Sequence, residues 1–200
     1  MFEFCCQKLD RIARTGIPCY VLINEPELLA IAKKYPAVAI VPRAPETGMV
    51  DGPLQFIFKD MLTASSESHL MFLNPCLIFL RERTIIDAVH RFNASASDYA
   101  TSVKKFQNWI MGPNYEMLCP IDYRRLSTKE IEPMYEFANA FHIFNRMNFM
   151  EDGCELKPGF EPVLIDSAEE CIDIDTESDY LYAKWYYENV YARRGGKEAV

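Results

Sequence analysis

The sequence predicts an α/β protein in which a mostly parallel sheet is covered by helices on both faces. Up to residue 92, segments with apolar residues at helical spacing alternate with short, continuously apolar runs. Strands that are buried on both faces are apolar throughout, whereas strands with one solvent-exposed face alternate between apolar and polar residues. This order of elements is typical of three-layer folds in which ligands bind beyond the carboxyl ends of the strands.

The first four elements are a helix, a strand, a helix and a strand. Helical spacing of apolar residues predicts a helix over residues 2–13, and the compact apolar run 17–23 predicts a strand. Asn24 begins a sequence that resembles a capping box, which indicates a second helix. The run 38–41 then predicts the second strand.

The alternation continues through the middle of the chain. Asp51 is expected to open a third helix, and the apolar run His69 to Leu73 predicts a third strand. Apolar residues at helical spacing over 85–92 indicate another helix. Further strands are expected over 140–144 and 162–165.

Residues 105–145 depart from this pattern and are predicted to form a protruding arm of a single domain that spans 1–200. Aromatic residues are dense and non-periodic there, which is usual for an interface and predicts a homodimer. The alternative is that these aromatic residues complete the core. They are Phe106, Trp109, Tyr115, Tyr123, Tyr135 and Phe137.

Composition excludes several classes of protein. The 29 acidic and 21 basic residues give a net charge of −8, which argues against nonspecific nucleic-acid binding. No apolar run approaches the length of a membrane span, and no secretory signal precedes the first helix, so a cytoplasmic location is expected. The 7 cysteines include no C-x-x-C pair and are expected to be reduced thiols.

Asp173 and Asp175 are the candidate catalytic and metal-binding residues. In an extended segment alternate side chains share a face, so the two carboxylates occupy one small volume. A hard divalent ion such as Mg²⁺, with phosphate oxygens attached, relieves their repulsion. The alternative is that the acids only favour the N-terminus of a following helix, for which Thr176 is the predicted N-cap and Asp179 its partner. The apolar side of that helix is expected to carry Tyr180, Leu181, Trp185 and Tyr186.

The order of several short motifs resembles a known family over about residues 5 to 190. The motifs are Ile40-Val41-Pro42-Arg43, Val50-Asp51-Gly52, Phe72-Leu73-Asn74-Pro75 with Leu80-Arg81, Ala140-Phe141-His142-Ile143, and Asp173-Ile174-Asp175-Thr176-Glu177-Ser178-Asp179. The chain resembles the acylneuraminate cytidylyltransferases, which are the CMP-sialic acid synthetases and their relatives. The last motif is the most specific of these.

This resemblance implies a nucleotide-diphospho-sugar transferase-like fold and transfer of CMP from CTP to an acidic sugar, with release of pyrophosphate. It also implies Mg²⁺ at Asp173 and Asp175, and nucleotide contacts by Arg43 and Asp51. The implied sugar-binding residues are Asn74, Arg124 and Arg125. Asn74 stands where relatives carry a glutamine, and the hydroxyl residues that follow this glutamine are replaced here by Cys76 and apolar residues, which predicts a changed sugar specificity.

The sequence departs from the family at its start. Family members begin with a central strand and a glycine-rich basic loop that cradles the triphosphate, whereas this chain starts at the helix that would follow them. The chain is therefore expected to be an N-terminally shortened version of the fold. Re-pairing of strands, dimerisation or an upstream segment would relieve the unpaired backbone groups.

Two other functions remain open at this point. A family-derived binding or assembly protein would keep the fold without catalysis, and would not bind CTP with a metal. A glycosyltransferase of related topology also uses an acid-x-acid metal site, although that pair usually lies in the middle of the chain.

Overall fold

The computed structural model describes residues 1–43, 54–124 and 127–193, with backbone only for 54–57 and Glu130. Six α-helices and six strands are described in these ranges. In chain order they are α1 Phe2–Ala13, β1 Tyr20–Ile23, α2 Pro26–Ala32, β2 Ala39–Pro42, α3 Leu54–Ala64, β3 His69–Leu73, α4 Glu82–Ala94, β4 Tyr99–Phe106, β5 Met134–Asn145, α5 Arg146–Asp152, β6 Glu161–Leu164 and α6 Glu177–Tyr186.

The strands form two sheets. The smaller sheet is the parallel pair β1 and β2, and the larger sheet has the order β3-β5-β4-β6. In the larger sheet β5 is antiparallel to both of its neighbours, whereas β6 is parallel to β4, so three of its four strands run in the same direction. Within the described ranges, no pair of hydrogen-bonded strands connects the two sheets.

Helices cover both faces of the larger sheet. Neighbouring residues of each strand point to opposite faces, so each strand contributes to two cores. On one side the core contains Ile12 of α1 and Phe92 of α4, packed with Phe141 and Ala100 of the sheet. On the other side Phe58 of α3 and Phe149 of α5 pack with Leu70, Tyr99 and Phe144. The predicted sheet between two helical layers is therefore present.

Helix α1 packs on both sheets. Its Cys6, with no exposed surface, lies in an apolar cluster with Val21 and Val38 beside the smaller sheet. Its Ile12 lies in the core of the larger sheet. Side-chain packing by this helix therefore connects the two sheets.

A large irregularity separates two parts of the β4–β5 ladder. Between the pairs Thr101–His142 and Val103–Phe137, β4 advances by two residues while β5 advances by five. Asn139 within this bulge has a φ of 52°, which asparagine tolerates better than most residues. The buried Ser102 hydroxyl fills the gap, since it accepts hydrogen bonds from the Ala140 N–H at 2.9 Å and the Phe141 N–H at 3.1 Å.

Two local predictions were wrong. Helix α2 has Glu25 as its N-cap residue, with no side-chain cap and with Pro26 in the first turn, so Asn24 does not cap it. In α6 the predicted apolar residues Tyr180, Leu181 and Trp185 are 50%, 58% and 54% exposed. Tyr186, the fourth predicted residue, is buried, and α6 packs through it and Ala183 against Phe79.

The predicted arm, residues 105–145, comprises the end of β4, the connection that follows and the whole of β5, whose second half lies between β3 and β4 in the larger sheet. Trp109 and Phe106 are half-buried, whereas Tyr115 and Tyr123 are 83% and 75% exposed. No helix in the described part of the chain is both long enough and apolar enough to cross a bilayer.

Candidate active site

Two distant segments converge beyond the carboxyl end of β3. Asn74 directly follows this strand, and Asp173 lies in the extended segment that precedes α6. The Asn74 Nδ2 is 3.5 Å from the Asp173 Oδ2, although the two residues are 99 positions apart. Ligand atoms of Cys76, Asp173 and Asp175 all lie within 4.8 Å of one another. The structure thus places the two predicted acids and Asn74 in one site, together with a thiol.

The extended segment orients the two acids. Ile174 is buried in the cluster with Phe79 and Ala183, and Ile172 packs against the same cluster. Asp173 and Asp175 therefore point away from this core, as strand-like alternation requires. Their carboxylates face the turn that carries Cys76.

The turn after β3 is held from both sides. Asn74 donates its backbone N–H to the Ala140 carbonyl at 2.9 Å, and its Oδ1 accepts the Cys76 N–H at 2.9 Å. These two bonds fix the asparagine, so its amide nitrogen points towards Asp173.

Helix α1 anchors the same turn through two side chains. The Cys5 thiol donates to the Pro75 carbonyl at 3.3 Å, and the Lys8 ammonium donates to the Ile78 carbonyl at 3.1 Å. Lys8 is only 7% exposed, and this burial lowers its pKa. Cys5, Glu82 and Glu170 raise the pKa of Lys8, but their effect is smaller than that of burial.

Asp173 is an electrostatically strained carboxyl group. Burial raises its pKa, and the neighbouring Asp175 raises it further. Its Oδ1 atom is buried and makes no hydrogen bond within the described residues. Lys104 of β4 is near enough to lower this pKa, although its effect is smaller. A bound cation would satisfy the orphaned oxygen and remove the repulsion, so the site fits a divalent metal ion.

The Cys76 thiol shares this environment. Its pKa is raised by burial first, and then by Asp173 and Asp175. In the absence of a cation the thiol is therefore protonated at neutral pH.

Helix capping explains Asp179 and not Asp173. The Thr176 hydroxyl accepts the Asp179 N–H, and the Asp179 carboxylate accepts the Thr176 N–H at 2.8 Å, which confirms the predicted capping box. These bonds lower the pKa of Asp179. Asp173 precedes the cap by three positions and faces Asn74 and Cys76 instead.

Glu170 is a positioning residue that the sequence did not reveal. The residue is 4% exposed, and its carboxylate accepts the Arg81 N–H at 2.9 Å and the Thr84 hydroxyl at 2.6 Å. The Arg81 guanidinium lies 3.6 Å from the same carboxylate. Glu170 thus ties the segment that carries the two acids to the start of α4. A glutamate next to a second glutamate in an acidic chain carries no signal of such burial.

Of the other predicted site residues, Arg43 and Arg124 lie within the described part of the chain. Arg43 follows β2 in the smaller sheet, where its N–H donates to the Ile23 carbonyl. Arg124 is exposed in a turn, and its N–H donates to Asp122 at 2.9 Å. Asp51 and Arg125 lie outside the described residues. Arg43 thus follows β2 and Arg124 lies between β4 and β5, whereas the acid pair precedes α6.

Comparison with known proteins gives matches in structure alone. No protein-family model matches the sequence, and no curated protein matches it. The 4-diphosphocytidyl-2C-methyl-D-erythritol synthase of Anaerococcus prevotii DSM 20548 has a TM-score of 0.64 at 11% identity, with 94% of this chain and 89% of that chain covered. A second synthase of that name has a TM-score of 0.60 at 8% identity, with 92% and 88% covered.

A third match is weaker. The CMP:2-keto-3-deoxy-manno-octonic acid synthetase complexed with CTP has a TM-score of 0.48 at 11% identity, with 92% of this chain and 74% of that chain covered, which is too low to support an argument. The first two matches confirm the predicted fold class, a nucleotide-diphospho-sugar transferase-like α/β fold. At such low identities they show the fold alone.

Proposed function

We propose that this protein is a CTP-dependent cytidylyltransferase that transfers CMP to an acidic, sialic-acid-like sugar. The observation that supports this most is the convergence of Asp173, Asp175 and Asn74 beyond β3, with a buried carboxylate oxygen left without a partner. The fold it shares with synthases named for cytidyl products agrees with the proposal. The resemblance of the motifs supports the acidic sugar as acceptor.

In the proposed reaction a sugar hydroxyl oxygen forms a bond to the α-phosphorus of CTP. The bond from this phosphorus to the bridging oxygen breaks, pyrophosphate leaves, and the hydroxyl proton passes to solvent. Bound Mg²⁺ would neutralise phosphate charge and align the reacting groups. Asp173 and Asp175 would hold this ion through their ionised carboxylates, and they are the proposed catalytic residues of the site.

The remaining residues bind the two substrates. Arg43 and Asp51 contact the nucleotide, for which the planar guanidinium of arginine is well suited. Asn74 offers its amide N–H to a sugar oxygen, and Arg124 and Arg125 pair with the sugar carboxylate. The enzyme acts in the cytoplasm as a homodimer.

Calorimetric titration with CTP tests the proposal. CTP is expected to bind the wild-type protein when Mg²⁺ is present, and to lose this binding when Mg²⁺ is omitted or in Asp175→Ala. Glu177→Ala is the matched control, because Glu177 is an exposed acid on the first turn of α6. Absence of metal-dependent CTP binding by the wild type would favour the binding or assembly protein. Binding that Asp175→Ala leaves intact would contradict the metal site.

The homodimer has its own test. The exposed aromatic residues of the arm, including Tyr135 at 59%, are expected to be covered by a second copy. Sedimentation velocity should show a species of twice 23.1 kDa, and Tyr135→Glu should reduce it to the monomer. Tyr180→Glu, at an exposed aromatic residue of α6, should leave the dimer intact. A single 23.1 kDa species of the wild type at high concentration would refute the dimer.

A further inference from the structure

The third donor of the acid site is a thiol rather than an oxygen. The Cys76 Sγ lies within 4.8 Å of a carboxylate oxygen of both Asp173 and Asp175. Two donors on one ion are separated by no more than the sum of their bond lengths, which is about 4.4 Å for a sulfur and an oxygen ligand on Zn²⁺. Small side-chain adjustments therefore allow all three to contact one ion.

The position of this thiol is fixed by its backbone. The Cys76 N–H donates to the Asn74 Oδ1, and the Asn74 N–H donates to the Ala140 carbonyl of β5. The neighbouring Cys5 thiol is directed elsewhere, since it donates to the Pro75 carbonyl. Cys76 is thus the cysteine that the fold directs to the two carboxylates.

The unsatisfied oxygen of Asp173 gives independent support for a bound cation at this place. The Asp173 Oδ1 is buried and has no hydrogen-bond partner within the described residues. The Asn74 amide nitrogen lies 3.5 Å from the other oxygen of the same carboxylate. A cation between Asp173, Asp175 and Cys76 would give this atom a partner.

The donor set determines which cations are preferred. Mg²⁺ binds oxygen ligands almost exclusively, so it would use the carboxylates and leave the thiol aside. Thiolate ligands favour Zn²⁺ and other soft or borderline ions. We propose that Cys76, Asp173 and Asp175 form a mixed sulfur and oxygen site that binds thiophilic divalent ions more tightly than Mg²⁺, with Cys76 as the residue that sets this preference.

This inference rests on the proposed metal role of the two aspartates and adds a ligand to it. On binding, the Cys76 thiol loses its proton to the buffer and a sulfur–metal bond forms, with no change of oxidation state. Because Mg²⁺ does not need the thiol, the two kinds of ion make different demands on Cys76.

Cadmium titration of the intact protein tests the proposal. Cd²⁺ is expected to bind with a sulfur-to-metal charge-transfer absorption in the ultraviolet. Cys76→Ser should remove this absorption and lower the Cd²⁺ affinity at least about tenfold. Its Mg²⁺ affinity, measured by calorimetry, should stay within about twofold of wild type, since Mg²⁺ uses oxygen ligands. Cys154→Ser is the matched control at an exposed cysteine, and it should behave as wild type.

Several results would overturn the proposal. They are an unchanged Cd²⁺ affinity and absorption in Cys76→Ser, tighter binding of Mg²⁺ than of Cd²⁺ by the wild type, and equal loss of both ions in the variant. The last result would show a structural effect, which circular dichroism and the variant Cys76→Ala check separately. If Asp175→Ala leaves CTP binding intact, the proposed function fails. If only the cadmium result is negative, the function stands and this inference fails.

Discussion

Replacing Asp173 with asparagine is expected to slow pyrophosphate release from CTP at least about 100-fold, because the variant loses a carboxylate that neutralises charge through the bound metal. The amide side chain is of nearly the same size, so packing in the site is preserved. A coupled pyrophosphate assay with CTP, Mg²⁺ and sialic acid as the probe substrate measures this loss. Glu177→Gln, an exposed acid four positions away, serves as the control and should keep its activity.

The same variant is expected to gain stability when no metal is present. The pKa of Asp173 is raised in the folded protein, so its ionised form opposes folding at pH values above that pKa. At pH 7 asparagine removes this penalty, and the gain is limited to about 1 kcal/mol because the carboxyl is partly solvated. The gain should shrink as the pH falls through the raised pKa and disappear below about 3, where the carboxyl is protonated in both the folded and the unfolded state.

Urea unfolding in the presence of a chelator, at pH 7 and at lower pH, measures this change. The expected result is a higher urea midpoint for Asp173→Asn at pH 7, with an unchanged slope. A lower midpoint at pH 7 would show that the carboxylate stabilises the metal-free protein. This result would contradict the claim that ionised Asp173 opposes folding. Opposite effects on activity and stability are characteristic of a functional site rather than of a structural carboxylate.

Ser102→Ala is expected to destabilise the protein by at least about 2 kcal/mol. The Ser102 side chain has no exposed surface, and its oxygen accepts two backbone N–H groups of the β5 bulge. Alanine leaves both donors buried without a partner, and each such group costs about 1–3 kcal/mol. Ala140, one of these donors, also accepts the Asn74 N–H through its carbonyl. The variant should therefore weaken metal binding as well.

Chemical denaturation measures the loss, and Ser178→Ala at an exposed position of α6 is the control. The control should change the free energy of unfolding by no more than about 0.5 kcal/mol. A similarly small effect of Ser102→Ala would mean that water replaces the hydroxyl in the bulge. A large stability loss with normal metal affinity would show that the β5 bulge does not influence metal binding.

Local pattern determined much of the fold. The bounds of α1 and β3 agree with those predicted, because each has one dominant apolar period. The antiparallel direction of β5 was not predicted, since a strand buried on both faces has the same composition in either direction. The exposed face of α6 was wrongly assigned, because the docking of Ala183 and Tyr186 depends on where Phe79 lies.

In the candidate site, too, some features were predicted from the sequence and others were not. Spacing in an extended segment was sufficient to place Asp173 and Asp175 on one side, and the family resemblance assigned Asn74 to the same reaction. The contribution of Cys76 depends on a turn held by Asn74 and Cys5, and that of Ser102 depends on a bulge in a ladder. Such three-dimensional geometry has no periodic signature in a single sequence.

The exposed aromatic side of α6 has a practical consequence. The chain contains 2 tryptophans, of which Trp109 lies in the arm and Trp185 on this helix. The Trp185 indole stacks on Tyr182 with ring centres 6.4 Å apart and is in contact with water. Because exposed indoles emit at longer wavelengths, intrinsic fluorescence supplies label-free optical signals from the arm and from the helix that follows the acid pair.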